Sequence, residues 1–304
     1  MYSLKEIQRR VEAGPKDFVD QCDMEYKSRV SYAADRIQEN MKKSPIVLLC
    51  GPSGSGKTTT AMKIEKELES REINSHTVSM DNYFKTLNPK TAPRTPEGDI
   101  DFESPLCMDM DLLNEHFSQI ASGQEIKVPF FIFSRQKRSA VRFTPLRLKE
   151  NEVVIFEGIH AFNEAITSAH PEAFNLYISV ATDIDCGEKG IFEASWVRLV
   201  RRTVRDNNFR GADAVETLRK WENVVRGEKL NIFPNMGRAD LQLDSSLIYD
   251  LPALKAQAVP LFQEANEAGL LSGEEADILE KLRLFPSIDE KYIPKDSLMR
   301  EFIR

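Results

Sequence analysis

The segment Gly51-Pro52-Ser53-Gly54-Ser55-Gly56-Lys57-Thr58 constrains this chain more than any other feature. It matches the spacing GxxxxGK[ST]. Its glycines let the backbone curl until successive N–H groups point inward at a phosphate. The apolar run 45–50 ahead of it suits a buried parallel strand, and Ala61, Ile64 and Leu68 behind it recur at helical spacing. A strand, an anion-binding loop and a helix in that order imply a crossover architecture with a parallel sheet covered on both faces. The bare pattern arises by chance in roughly 1% of chains of this length, and the flanking strand and helix narrow it further.

The rest of the sequence supports an α/β layout. Residues 73–79 read as a second strand that should lie beside the loop strand and end at Asp81. Residues 153–156 read as a third, ending at Glu157, residues 176–180 as a fourth and residues 246–249 as a fifth. Residues 1–44 read as a helical extension. Ser3 and Glu6 fit a capping box, Gly14-Pro15 ends the first helix, and a stripe from Phe18 through Cys22, Tyr26, Val30, Ala33 and Ile37 to Met41 marks a second. Residues 45–260 then form the main domain. Within it, 82–150 is an irregular substrate-binding insertion with a strand-like stretch at 126–133, and 198–230 is an arginine-rich lid. Residues 261–304 form a C-terminal helical extension, with a capping box at Ser272-Gly273-Glu274-Glu275.

Composition excludes several classes. The 304 residues carry a net charge of −7, which gives no bulk argument for nucleic acid or an anionic membrane. Four scattered cysteines form neither a disulfide frame nor a zinc site. No apolar run approaches membrane-spanning length and the first residues are charged, so a cytoplasmic address is expected.

The chemistry follows from the loop. Gly51, Ser53, Gly54, Ser55, Gly56, Lys57, Thr58 and Thr59 are expected to hold ATP, with Lys57 on the β/γ oxygens and the Thr58 hydroxyl on Mg²⁺. Asp81 and Glu157 end strands of the same sheet, and their carboxylates suit metal support and orientation of an acceptor hydroxyl. Arg198, Arg201, Arg202 and Arg205 recur at helical spacing opposite Val197, Val200 and Val204. They read as four unpaired cations beside the triphosphate, with Arg210 extending the set into a mobile lid. A second basic cluster, Arg135, Lys137, Arg138 and Arg142, lies near three phenylalanines. It suits a small substrate's phosphate or base better than nucleic acid. The four histidines are isolated and read as structural or exposed.

These segments also follow the order seen in one family. The loop, Ser79-Met80-Asp81-Asn82-Tyr83-Phe84-Lys85, Asp101-Phe102-Glu103-Ser104-Pro105, Val128-Pro129-Phe130-Phe131-Ile132-Phe133, Ile155-Phe156-Glu157-Gly158-Ile159 and residues 198–211 resemble the uridine kinase and phosphoribulokinase family, most closely its bacterial uridine kinase-like branch. The resemblance covers about residues 45–260, and the ending 293–302 looks like that branch too. It implies a P-loop NTPase fold of the nucleoside-monophosphate-kinase-like kind, three layers αβα around a central parallel sheet. It implies an ATP- and Mg²⁺-dependent kinase acting on a small nucleoside or related ribose-bearing metabolite, assembled as a homo-oligomer.

By position, Asp81 matches the acid that takes the acceptor's proton, Glu103 the carboxylate on the ribose diol and Glu157 the acid near Mg²⁺. Arg202, Arg205 and Arg210 match lid arginines, Lys57, Arg202 and Arg205 counting as catalytic with Asp81. The metal set is Thr58, Asp81 and Glu157. The acceptor set is Asp81, Tyr83, Glu103, Phe131, Phe133, Gln136, Arg138 and Arg205. Where the family commonly has Tyr-Asp-Phe and then His to read a pyrimidine, this chain has Phe131, Ile132, Phe133 and Gln136, and Ala212 replaces a usual arginine. Two alternatives stay open: a sugar-phosphate acceptor with its second phosphate on the Arg135 cluster, and a regulatory P-loop ATPase.

Overall fold

A computed structural model describes residues 1–271 and 274–304. The short strand β1 (Tyr2–Ser3) leads into α1 (Leu4–Ala13), where the Ser3 hydroxyl accepts the Glu6 N–H at 3.2 Å. Only half of the predicted capping box forms, because the Glu6 carboxylate turns to Arg9 instead (2.7 Å). Pro15 then opens α2 (Pro15–Asn40) at a position whose N–H would be unpaired in any case. The stripe Phe18, Cys22, Tyr26, Val30, Ala33 and Ile37 is buried. It packs α2 against α3 (Lys57–Glu69), the helix that follows β2 (Ile46–Cys50) and its loop, with the Tyr26 hydroxyl 2.6 Å from that of Thr60.

The remaining chain is β3 (Asn74–Ser79), α4 (Met110–Ala121), the hairpin β4 (Ile126–Ile132) and β5 (Lys137–Leu146), β6 (Glu152–Glu157), the one-turn α5 (Glu164–Thr167) and β7 (Phe174–Ser179). Then come the short β8 (Ile184–Asp185) and β9 (Ile191–Phe192), α6 (Ala194–Arg205), α7 (Ala214–Asn231), β10 (Leu241–Asp244), α8 (Asp250–Glu267) and α9 (Glu274–Leu284). The central sheet has the order β10-β7-β2-β6-β3 and every pairing in it is parallel. Ile46, Leu48 and Cys50 of β2 face one hydrophobic core with Phe117 and Phe156. Val47 and Leu49 face the other, with the helices α1–α3, α6, α8 and α9. That two-sided burial is why β2 reads as an unbroken apolar run. The result is a three-layer α/β fold of the P-loop kind with helices added at each end.

Three expectations need correction. Strand β3 does not lie beside the loop strand; β6 is inserted between them, so Glu157 is nearer the loop than Asp81 is. The fifth strand is β10, not residues 246–249, which form the turn that starts α8. The span 82–150 is not irregular throughout, since Asp109 caps the amphipathic α4, which buries Leu113, His116, Phe117 and Ile120. Its proline-rich first half masks that helix in the sequence. The capping box at 272–275 opens on residues 272 and 273, which lie outside those described, and Ile278, Leu279 and Leu282 of α9 are buried. Among the described residues no helix is long and apolar enough to cross a membrane.

Candidate active site

The loop between β2 and α3 is held by contacts that admit no side chain at two glycines. A Cβ on Gly51 would stand 2.0 Å from the Ile178 carbonyl oxygen of the neighbouring strand. At Gly54, whose φ is +76°, it would stand 2.6 Å from the carbonyl of Arg198. Helix α6 therefore presses directly on the loop, and its arginines finish the job. Arg198 donates to the Ser53 carbonyl (2.9 Å) and forms two bonds to Glu228 (2.7 and 2.9 Å), whose carboxylate also accepts the Ser53 N–H (3.1 Å). Arg201, fully buried, binds Asp250 at 2.6 Å and the Ser245 carbonyl at 2.9 Å. Arg202 donates to the Ser53 hydroxyl at 2.8 Å.

The expectation of four unpaired cations is thus overturned. Arg198 and Arg201 each have a private carboxylate, and they support the loop from beneath. The other three arginines share a partner. Buried Asp206 lies 2.7 Å from Arg205, 3.4 Å from Arg202 and 3.6 Å from Arg210, while Glu301 is 4.0 Å from Arg205. Three guanidinium groups crowd around these two carboxylates, with Glu103 also bearing on Arg202 and Asp81 on Arg210. Burial, with repulsion from Arg205, pulls both Arg202 and Arg210 below the ordinary arginine range. Such a cluster gains from an arriving polyanion.

Lys57 opens α3 and donates to the Pro52 carbonyl at 3.0 Å. Its charge bears on three carboxylates. Asp81 follows β3 in a short 3₁₀ turn capped by Ser79 and keeps access to solvent, yet it is recessed enough that burial pushes its carboxyl up, against Lys57 and Arg210. Burial also raises Glu157 at the end of β6, opposed by Lys57 and assisted by the Asp81 charge. Glu103 is pushed up to about 7 by burial, with Arg202 and Lys57 opposing and Glu228 and Asp101 adding repulsion. A Cβ on Gly227 would stand 2.5 Å from that of Glu103, so α7 and the Glu103 loop are in direct contact. Asp101 fixes this contact by accepting the Glu103 N–H (3.1 Å) and pairing with Arg226 of α7 (2.8 Å).

The remaining acceptor candidates divide differently from the sequence expectation. Tyr83 is fully buried and its hydroxyl is 2.8 Å from His116 Nδ1, which leaves it no free polar end. Arg138 is committed to Asp109 (2.7 Å) and the Tyr83 carbonyl (2.9 Å). Phe131 is buried against Phe84 and Phe133, so it stiffens the hairpin. Gln136, with φ +48°, and the exposed Phe133 lie at the hairpin tip. Only Asp81, Glu103 and Arg205 of that set share electrostatic neighbours with Lys57 or the arginine cluster. Sequence reasoning missed Glu228, Asp206 and Glu301. Asp206 lies in the family-like segment 198–211 and Glu301 in the ending 293–302, but their partners lie between one and roughly 240 residues away, so spacing assigns them no role.

Known proteins similar to this chain include two uridine kinases and one solved structure. Over 186 residues the chain is 33% identical to a uridine kinase of Schizosaccharomyces pombe (strain 972 / ATCC 24843), covering 61% of this chain but only 37% of that one. Over 186 residues it is 28% identical to a uridine kinase of Staphylococcus aureus (strain JH9), covering 61% and 80%. A solved structure described as a "Possible Uridine Kinase from Bacillus stearothermophilus" matches 72% of this chain and 100% of its own, with 18% identity and a TM-score of 0.46. The match that spans the loop, all three carboxylates and the arginine helix is residues 46–250 against the Phosphoribulokinase / Uridine kinase family, and the chain belongs to that family.

Proposed function

We propose that this chain is an ATP-dependent kinase that transfers the γ-phosphate of Mg-ATP to a hydroxyl of a nucleoside or a related ribose-bearing metabolite. The observation that carries the reading is the parallel order β2-β6-β3, which brings the strand ends bearing Glu157 and Asp81 to the sheet edge where the phosphate loop carries Lys57. Family membership supports it, and the relatives' names point to uridine as the first acceptor to try.

In this reading Asp81 accepts the proton of the attacking hydroxyl. Glu103 accepts hydrogen bonds from two adjacent acceptor hydroxyls. Lys57, Arg202, Arg205 and Arg210 neutralise the phosphoryl oxygens. The oxygen donors Thr58, Asp81 and Glu157 are the hard ligands a Mg²⁺ ion takes. Among the described residues no cluster of three or more His, Cys, Asp or Glu forms a site by itself. When bound, that ion supplies charge neutralisation on the transferred group. The sugar-phosphate alternative loses Arg138, already spent on Asp109.

The test is an acceptor screen with Mg-ATP, following ADP release and identifying products by mass. Nucleosides, ribulose 5-phosphate and simple sugars would be offered in turn. A phosphorylated nucleoside is the expected product. ADP release with every acceptor unconsumed would replace the kinase reading with the regulatory ATPase. Asp81→Asn should bind ATP as wild type does while kcat falls by about 10²–10⁴-fold. Full activity would remove Asp81 from the base role.

A further inference from the structure

The last eight residues close over the phosphate loop. Leu298 and Met299 are fully buried, and a Cβ on Gly56 would stand 2.7 Å from Leu298 Cδ1. Ser297 is tied to Tyr249 (2.7 Å) and Asp23 (3.1 Å), and the Asp296 carbonyl accepts from Lys63 of α3. Phe302 lies under the Arg201 guanidinium, and its carbonyl accepts from Asn208 in the turn that carries Arg210. The segment therefore touches the loop, the loop's helix and the base of the arginine cluster at once.

Within this segment Glu301 places a carboxylate oxygen 3.3 Å from the Thr59 N–H, the third amide of α3. The first four amides of a helix lack an internal partner, and at the end of a phosphate loop they are the donors that phosphate oxygens use. The other Glu301 oxygen is 4.0 Å from Arg205. An anionic side chain of the chain itself thus sits on one phosphate donor and faces one phosphate-neutralising arginine.

We propose that Glu301 is a built-in stand-in for a nucleotide phosphate, which bound nucleotide displaces from the Thr59 N–H. The inference rests on the nucleotide-site reading above. A phosphate oxygen and the Glu301 carboxylate cannot share one N–H, and two like charges there repel. Displacement would turn Glu301 toward Arg205 and loosen the C-terminal segment, so that occupancy of the loop is felt at Asn208 and the arginine turn. Glu301 acts here as a positioning residue and takes no part in the transfer.

The test is calorimetric titration of the full chain with ATP and with inorganic tripolyphosphate, for wild type and Glu301→Gln. Removing the competing charge should tighten both ligands by about tenfold. Tripolyphosphate isolates the phosphate contribution, because it has no ribose or base to contact. Amide hydrogen exchange over 297–304 supplies a second readout in the wild-type chain, where added ATP should reduce protection. Equal binding by both proteins, weaker ATP binding by Glu301→Gln, or increased protection with ATP would overturn the inference alone. Absence of binding to either protein would overturn the nucleotide-site reading and this inference with it.

Discussion

The ion pair beneath the phosphate loop offers the sharpest test of how this site is held. Arg198 and Glu228 make two bonds at 2.7 and 2.9 Å with side chains 5% and 1% exposed, and Glu228 also accepts the Ser53 N–H. Glu228→Gln keeps the volume but leaves the Arg198 charge buried without a counter-ion, at a cost of about 3 kcal/mol or more. For a chain of this size that should lower Tm by roughly 5 °C or more. Replacing both partners, Arg198→Met with Glu228→Leu, should recover most of that loss, because no charge is then stranded. It should not recover nucleotide binding, since the Ser53 peptide has lost a partner on its N–H and another on its carbonyl. Differential scanning calorimetry and nucleotide titration on the three proteins separate these effects. An unchanged Tm in Glu228→Gln would refute the buried-charge argument, and wild-type nucleotide affinity in the double variant would refute the clamp.

Three further outcomes follow from particular contacts. Glu103 titrates at about 7 in the folded chain against an ordinary 4.5. The native state therefore holds the proton more tightly, and this group's contribution to stability is full below about pH 4.5 and is lost as pH rises through about 7. Glu103→Gln should accordingly remove a decline of a few degrees in Tm across that window, read from wild-type and variant melts at matched pH. Because the ionised carboxylate accepts on both oxygens and more strongly than the neutral acid, acceptor affinity of the wild type in the proposed role should rise as pH passes through about 7. Gly54→Ala should abolish nucleotide binding in a chain that still folds. Its φ of +76° costs about 1–2 kcal/mol for an L-residue, and the added Cβ meets a backbone oxygen that cannot step aside. Tyr83→Phe should leave the acceptor KM unchanged while costing about 1 kcal/mol of stability from the lost bond to His116, as urea melts would report. A raised KM would return Tyr83 to the acceptor pocket.

What was legible in the sequence is what a few adjacent residues decide together. The curl of residues 51–58, the apolar run of β2 and the caps and stripes of α1 and α2 depend on neighbours at fixed short spacings, so pattern suffices to find them. Strand order does not, and the expected adjacency of β2 and β3 failed because nothing in either segment records that β6 pairs between them. The arginine helix failed for a related reason. Spacing located Arg198, Arg201, Arg202 and Arg205 on one side correctly, but it could not reveal that Glu228 and Asp250, 30 and 49 residues on, neutralise two of them. The distinction has a functional consequence. Four free guanidiniums would bind polyphosphate without regard to shape, whereas two committed to the loop and three gathered about Asp206 hold the loop in its curl first and leave a smaller, placed charge for the phosphates. A preorganised site of that kind needs no reorganisation when charge develops on the transferred group, and its specificity then rests on geometry more than on total charge.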